Sequence, residues 1–193
     1  MAGLELRTDT SAIVQAAAAL AAGGKNIPAA IARALNRAQD GAKTQMVRTL
    51  TVQTGLKRKT IVAALRSSKK ASAGSLFAVL GSTGGDVRLK FFGPKETQAG
   101  VSAAPWGQRR VFAKTFIHGG RFPNRRGGPF NQNGHVYIRR GRGRFPLKVA
   151  RSGLFIPKEM VTGRTEEAFM AAVASILPKR LEHELGRAIV GGG

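Results

Sequence analysis

Cysteine is absent from this chain of 193 residues. That excludes disulfides, thiol nucleophiles and thiolate metal sites, and it fits folding in a reducing cytoplasm. Acidic residues are scarce: 10 Asp and Glu stand against 32 Lys and Arg, a formal net charge of +22. Histidine occurs three times, as His118, His135 and His183, with no metal-ligand spacing such as H-x-x-x-H. No apolar run reaches the roughly 18 residues of a membrane span. The Ala-rich stretch from Ser11 to Ala22 is preceded by Glu5 and Asp9, where an export signal would be basic. The expectation is a soluble chain without an export signal, a metal or a cofactor.

Hydrophobic residues make up 42% of the chain, enough for a core. Glycine is frequent, at 25 residues, and much of it lies in polar clusters that predict long loops. The charge is unevenly placed. Between Gly41 and Lys158 there are 24 basic residues and two acids, Asp86 and Glu96. Repulsion on that scale disfavours an isolated compact monomer and calls for an anionic neighbour, nucleic acid or an acidic protein surface. No segment has the basic amphipathic pattern of a membrane-surface helix.

The pattern predicts an α+β fold in one domain over residues 1–193, divided into a helical part (1–70), a β-rich part (75–160) and a C-terminal helix (165–190). Gly3 to Arg7 alternates like a short edge strand. A helix is expected over Ser11 to Ala22, ended by Gly23 and Gly24. Pro28 opens a longer one, in which Ile27, Ile31, Leu35, Ala38, Ala42, Met46 and Leu50 form a stripe opposite Arg33, Arg37, Asp40, Thr44 and Arg48. After a Thr54-Gly55 turn, Leu56, Ile61, Ala64 and Leu65 mark a short helix to about Arg66. From Ser75 the period shortens to that of strands: 76–80, 87–92, 101–103, 111–117 and 136–138 read as an antiparallel meander. Basic Gly/Arg loops interrupt it at 119–134 and 139–144. The helical period returns in Phe169, Val173, Ile176, Leu177, Leu181, Leu185 and Ile189, with Pro178 placed to kink or split that helix. Gly191 to Gly193 reads as a frayed end.

Catalysis needs converging titratable groups, and the sequence offers few. Neither Gly127-Gly128 nor Gly141 to Arg144 leads into the Lys-Ser or Lys-Thr of a phosphate loop or follows the strand-to-helix context of a dinucleotide fingerprint. With Asp86 and Glu96 the only central acids, two-metal chemistry lacks ligands there. The expectation is a non-enzyme with no small-molecule substrate. The candidate contact residues for a partner are basic: Arg121, Arg125 and Arg126 in the first loop, Arg139, Arg140, Arg142 and Arg144 in the second. Guanidinium beside aromatic rings on flexible backbone suits phosphate tracking and base stacking, and equally suits an acidic protein surface. Lys57, Arg58 and Lys59 are a further candidate. The stretch Leu50 to Ile61 has the glycine turn of a helix-turn-helix, in which those three residues would lead the recognition helix. The alternative is two packed helices joined by a Thr-Gly turn.

Several segments, in order along the chain, resemble one family. They are Ile31-Ala32-Arg33-Ala34-Leu35-Asn36-Arg37-Ala38, Thr54 to Lys57, Phe91-Phe92-Gly93, Thr97 to Val101, Ala113 to Ile117, Val136 to Arg139, Arg144 to Lys148, Ile156-Pro157 and Leu181-Glu182-His183-Glu184-Leu185. Together they resemble the minor tail protein Z family of tailed bacteriophages over about Gly3 to Ile189. The chain departs from that pattern in a longer basic insertion at 119–134 and in Leu154, where a Gly-Pro step is expected after Gly153. The resemblance implies a virion component that completes the head-proximal end of a long tail and takes part in joining head to tail. It implies assembly in the host bacterial cytoplasm, in a ring or other multi-copy arrangement. The implied partners are tail or neck proteins (tail terminator, tail tube, connector) and packaged DNA. The alternative function is a non-enzymatic DNA- or RNA-binding protein acting through the basic loops or a helix-turn-helix at 50–66.

Overall fold

The computed structural model describes residues 3–6, 27–118, 122–123, 133–143 and 145–190, with the side chains of residues 3–6, 66–68 and 190 outside that description. The helix expected over 11–22, most of the loop 119–134 and the glycines at 191–193 lie outside the described residues.

Two long helices carry the core. Helix α1 (Ile27–Thr54) buries the whole predicted stripe, from Ile27 to Leu50, and exposes Arg33, Arg37, Asp40, Thr44 and Arg48. Helix α4 (Arg164–Val190) buries Phe169, Val173, Leu177 and Leu181 against it. The pair is antiparallel: Arg33 near the start of α1 meets Glu184 near the end of α4, and Gln53 at the far end meets Thr165. Midway, Gly41 brings the two helices close, since a Cβ there would lie 2.6 Å from Ile176 Cδ1. Alanines 34, 38 and 42 flank it on the buried face, so small residues allow a near approach. Pro178 is exposed inside α4, which runs through it as one helix and is not split. Ile189, expected in the stripe, is 70% exposed.

Among the described residues the β structure is antiparallel, as expected, but it forms three separate three-stranded sheets instead of one meander. The first has the order β1-β3-β2, from Gly3–Leu6, Val79–Thr83 and Leu65–Lys69. β1 is an edge strand as its alternation predicted. β2 lies inside the part expected to be helical: helix α2 (Arg58–Ala64) stops a residue or two early, and Leu65, buried, begins a strand paired to Ser82. Tertiary pairing there overrides local helical spacing. The second sheet is β4-β5-β6 (Lys95–Thr97, Gly100–Ala103, Arg110–Ala113) and the third is β7-β8-β9 (Thr115–Phe116, Tyr137–Arg139, Leu147–Val149).

Three expectations need correction. The run 76–80 becomes strand only from Val79. The run 111–117 is cut at Lys114, whose φ of 59° turns the chain out of one sheet and into the next. The run 87–92 is not a strand: Leu89–Phe92 is a 3-10 turn ended by Gly93 at φ 58°. Residues three apart eclipse in such a turn, so Leu89 and Phe92 both enter the core, 0% and 3% exposed. A short helix, α3 (Ile156–Met160), buries Ile156, Pro157 and Met160 ahead of α4.

Candidate functional site

The described basic residues among those singled out by sequence fall on two separate elements. Lys57, Arg58 and Lys59 stand exposed at the start of α2. Gly55, at φ 71°, ends α1, and the Thr54 hydroxyl accepts the Leu56 N–H at 3.3 Å. The turn is pressed onto the segment Pro105–Gly107, where a Cβ on Gly55 would come within 2.7 Å of the Gly107 nitrogen. Lys57 caps α2 through its carbonyl alone, without a side-chain bond. Helix α2 has seven residues, about 10 Å of length. It passes at once into β2, so the geometry is a packed helix pair leading into a strand.

Arg139, Arg140 and Arg142 are brought together at the end of the β8–β9 hairpin and are exposed there. The hairpin pairs Tyr137 with Val149, Ile138 with Lys148 and Arg139 with Leu147, and the Arg140 N–H reaches the Pro146 carbonyl at 3.2 Å. Arg121, Arg125, Arg126 and Arg144 lie outside the described residues.

The sheet that carries this hairpin has two unlike faces, because side chains alternate along a strand. Val136 and Ile117 point into the core, 1% and 8% exposed. Phe116, His135, Tyr137 and Arg139 occupy the other face. The Phe116 and Tyr137 ring centroids are 6.3 Å apart, as are those of His135 and Tyr137, and the Arg139 guanidinium lies 5.5 Å from the Phe116 ring centre. The Lys90 ammonium, on the 3-10 turn, stands 3.1 Å from His135 Nε2. Burial first, then Lys90 and Arg88, lowers the His135 pKa below the ordinary histidine value, so the ring is neutral near pH 7. Its Nε2 then accepts from Lys90 and its proton sits on Nδ1, an atom that is buried with no hydrogen-bond partner. Sequence reasoning missed Arg88, Lys90 and His135 as part of this group. The two-residue spacing of His135, Tyr137 and Arg139 was visible; the approach of residue 90 to residue 135 was not.

Cations here rest on aromatic rings as well as on carboxylates. Lys69 lies 4.1 Å from the Phe77 ring centre, Lys90 5.2 Å from Phe91, and Arg110 4.8 Å and 5.8 Å from Phe112 and Trp106. Ion pairs are formed by Arg33 with Glu184 at 2.7 Å and by Lys70 with Asp40 at 2.6 Å. Trp106 is held in a left-handed conformation, φ 54°, while its indole N–H donates to Glu159 Oε1 at 3.0 Å.

Comparison with family models, with curated proteins and with solved structures finds no match. The geometry therefore carries the functional argument. Among the described residues no three His, Asp or Glu side chains are grouped to hold a metal, and no helix is long and apolar enough to cross a membrane. His183, exposed on α4, approaches Glu184 at 3.8 Å. What the described surface offers chemically is an array of fixed cations beside rings, suited to holding an anion.

Proposed function

We propose that this chain is a non-catalytic structural protein of a long-tailed bacteriophage particle, completing the head-proximal end of the tail and helping to join it to the head. The observation that carries this reading is the hairpin bearing Arg139, Arg140 and Arg142 exposed on a chain of net charge +22. Such a surface gains stability when it meets an anionic neighbour within an assembly. The ordered resemblance of its segments to the minor tail protein Z family supplies the kind of assembly. In this reading the chain is present in several copies against the tail terminator, tail tube or connector, with packaged DNA within reach. It is made in the host bacterial cytoplasm and ends in the virion. Mass spectrometry of mature particles is expected to detect it. Loss of the chain is expected to leave filled heads and tails that do not join. Mature, infectious particles free of the chain overturn the reading.

A second reading is favoured by the cluster around His135: a nucleic-acid-binding protein acting outside any particle. The helix-turn-helix version has weaker support, because α2 is seven residues long and continues into β2.

A further inference from the structure

We infer that the outer face of the β7–β8–β9 sheet, with the adjoining 3-10 turn, binds the phosphodiester backbone of nucleic acid, and that Arg88, Lys90 and Arg139 are its phosphate contacts. The inference goes beyond the virion reading and stands without it.

Three observations support it. First, the cations of this face come from elements far apart in sequence. Arg88 and Lys90 come from the segment entering and forming the turn, which is tied to the sheet by the Leu89 N–H to Ala150 carbonyl bond at 3.2 Å and by the bridge between Arg88 and Arg151. Arg139 comes from β8. Arg88 and Lys90 meet at His135, and Arg139 stands four residues further along the chain against Phe116, so cations flank the row of rings on this face.

Second, the cations are oriented. Arg139 lies against Phe116 and Lys90 is placed between the Phe91 ring and His135 Nε2. Ordering side chains before the ligand arrives lowers the entropy lost on binding. Third, the patch is composed of cations and rings. Phe91 and Phe145 are 38% and 59% exposed at its margins, and Arg140 and Arg142 extend it along the hairpin. A protein–protein interface has an apolar centre depleted of charge, whereas a nucleic-acid groove combines positive charge with aromatic faces. The composition favours nucleic acid over an acidic protein.

His135 adds a signature. The charged groups that face it are Lys90 and Arg88, both from the turn; its own strand contributes the Tyr137 ring. A phosphate that takes the Lys90 ammonium draws it off Nε2 and offsets the charge of Lys90 and Arg88, and both effects favour the imidazolium. Binding therefore takes up a proton, and affinity rises as the pH falls through the range below the ordinary histidine value.

The test is fluorescence anisotropy of the purified full chain with a labelled single strand of mixed sequence and with its duplex. Affinity for both is expected to fall as salt is raised. In the Arg88→Gln/Lys90→Gln variant the slope of log affinity against log salt becomes shallower by about 2, at roughly 0.9 for each phosphate no longer neutralised. Between about 50 and 200 mM salt the variant's affinity then falls about tenfold less than the parent's. His135→Gln is expected to flatten the pH dependence. A thermal melt of each variant confirms that it is folded. Unchanged affinity and slope in a folded Arg88→Gln/Lys90→Gln variant overturn the inference. So does loss of binding only in Lys57→Gln/Arg58→Gln/Lys59→Gln, or displacement of the oligonucleotide by polyglutamate at equal charge. Because the assay needs no particle, its failure is separate from absence of the chain from virions.

Discussion

Glu159 on α3 ties four parts of the molecule together, and removing its carboxylate should loosen all of them. Its Oε2 accepts from Gln53 Nε2 at 2.7 Å, at the end of α1, and its Oε1 accepts from the Trp106 indole at 3.0 Å. Gln53 Oε1 in turn accepts from the hydroxyl of Thr165, which is fully buried at the start of α4. In Glu159→Ala the Gln53 amide keeps only a 3.4 Å approach to the residue 159 carbonyl, and the indole N–H turns to solvent, since Trp106 is 37% exposed. A charge-assisted bond from a half-buried amide contributes about 1.5 kcal/mol and one from an exposed indole about 0.5 kcal/mol, so the expected loss is about 2 kcal/mol. With a urea m-value of about 2 kcal/mol per molar, the midpoint falls by about 1 M. Glu159→Gln retains one acceptor and should lose about half as much. Trp106 is the single tryptophan, so its fluorescence reports this junction while far-UV circular dichroism reports the helices. In a double-mutant cycle with Trp106→Phe, a coupling of about 0.5 kcal/mol is expected. Equal midpoints for the parent and Glu159→Ala, or no coupling, refute the argument that this carboxylate joins α1, α3 and α4.

Two further perturbations follow from the fold. Gly100, at φ 145° on β5, faces β6 so closely that a Cβ would lie 2.1 Å from the Phe112 carbonyl oxygen; Gly100→Ala is expected to cost more than about 3 kcal/mol in urea unfolding. The hydrogen bond from Arg33 lowers the Glu184 pKa below the ordinary carboxylate value, so its contribution is present above the unfolded-state pKa and is lost as pH falls through the lower folded value. The parent should therefore lose more stability between pH 5 and pH 3 than Arg33→Gln, with a small difference because Arg33 is 55% exposed.

The stripe of α1, the exposed cations along its other side, the edge strand at the N-terminal end and the helical return after Pro157 were all legible in the residues. Each is decided by local periodicity: alternation marks the strand, and apolar side chains three and four apart along a helix have only one way to reach a common core. The fate of 65–69 and 87–92 was not legible. Leu65 becomes a strand residue because β3 offers it a partner, and Leu89 with Phe92 forms a turn because both side chains find room beneath it. Those outcomes depend on neighbours distant in sequence, which spacing cannot encode. The same holds for the candidate site. Composition announced an excess of cations needing an anion, and the hairpin arginines could be named from the chain itself. Only the tertiary structure set Lys90 3.1 Å from His135 and laid Arg139 against Phe116, because side chains 45 residues apart, as Lys90 and His135 are, meet only when a sheet and a turn pack together.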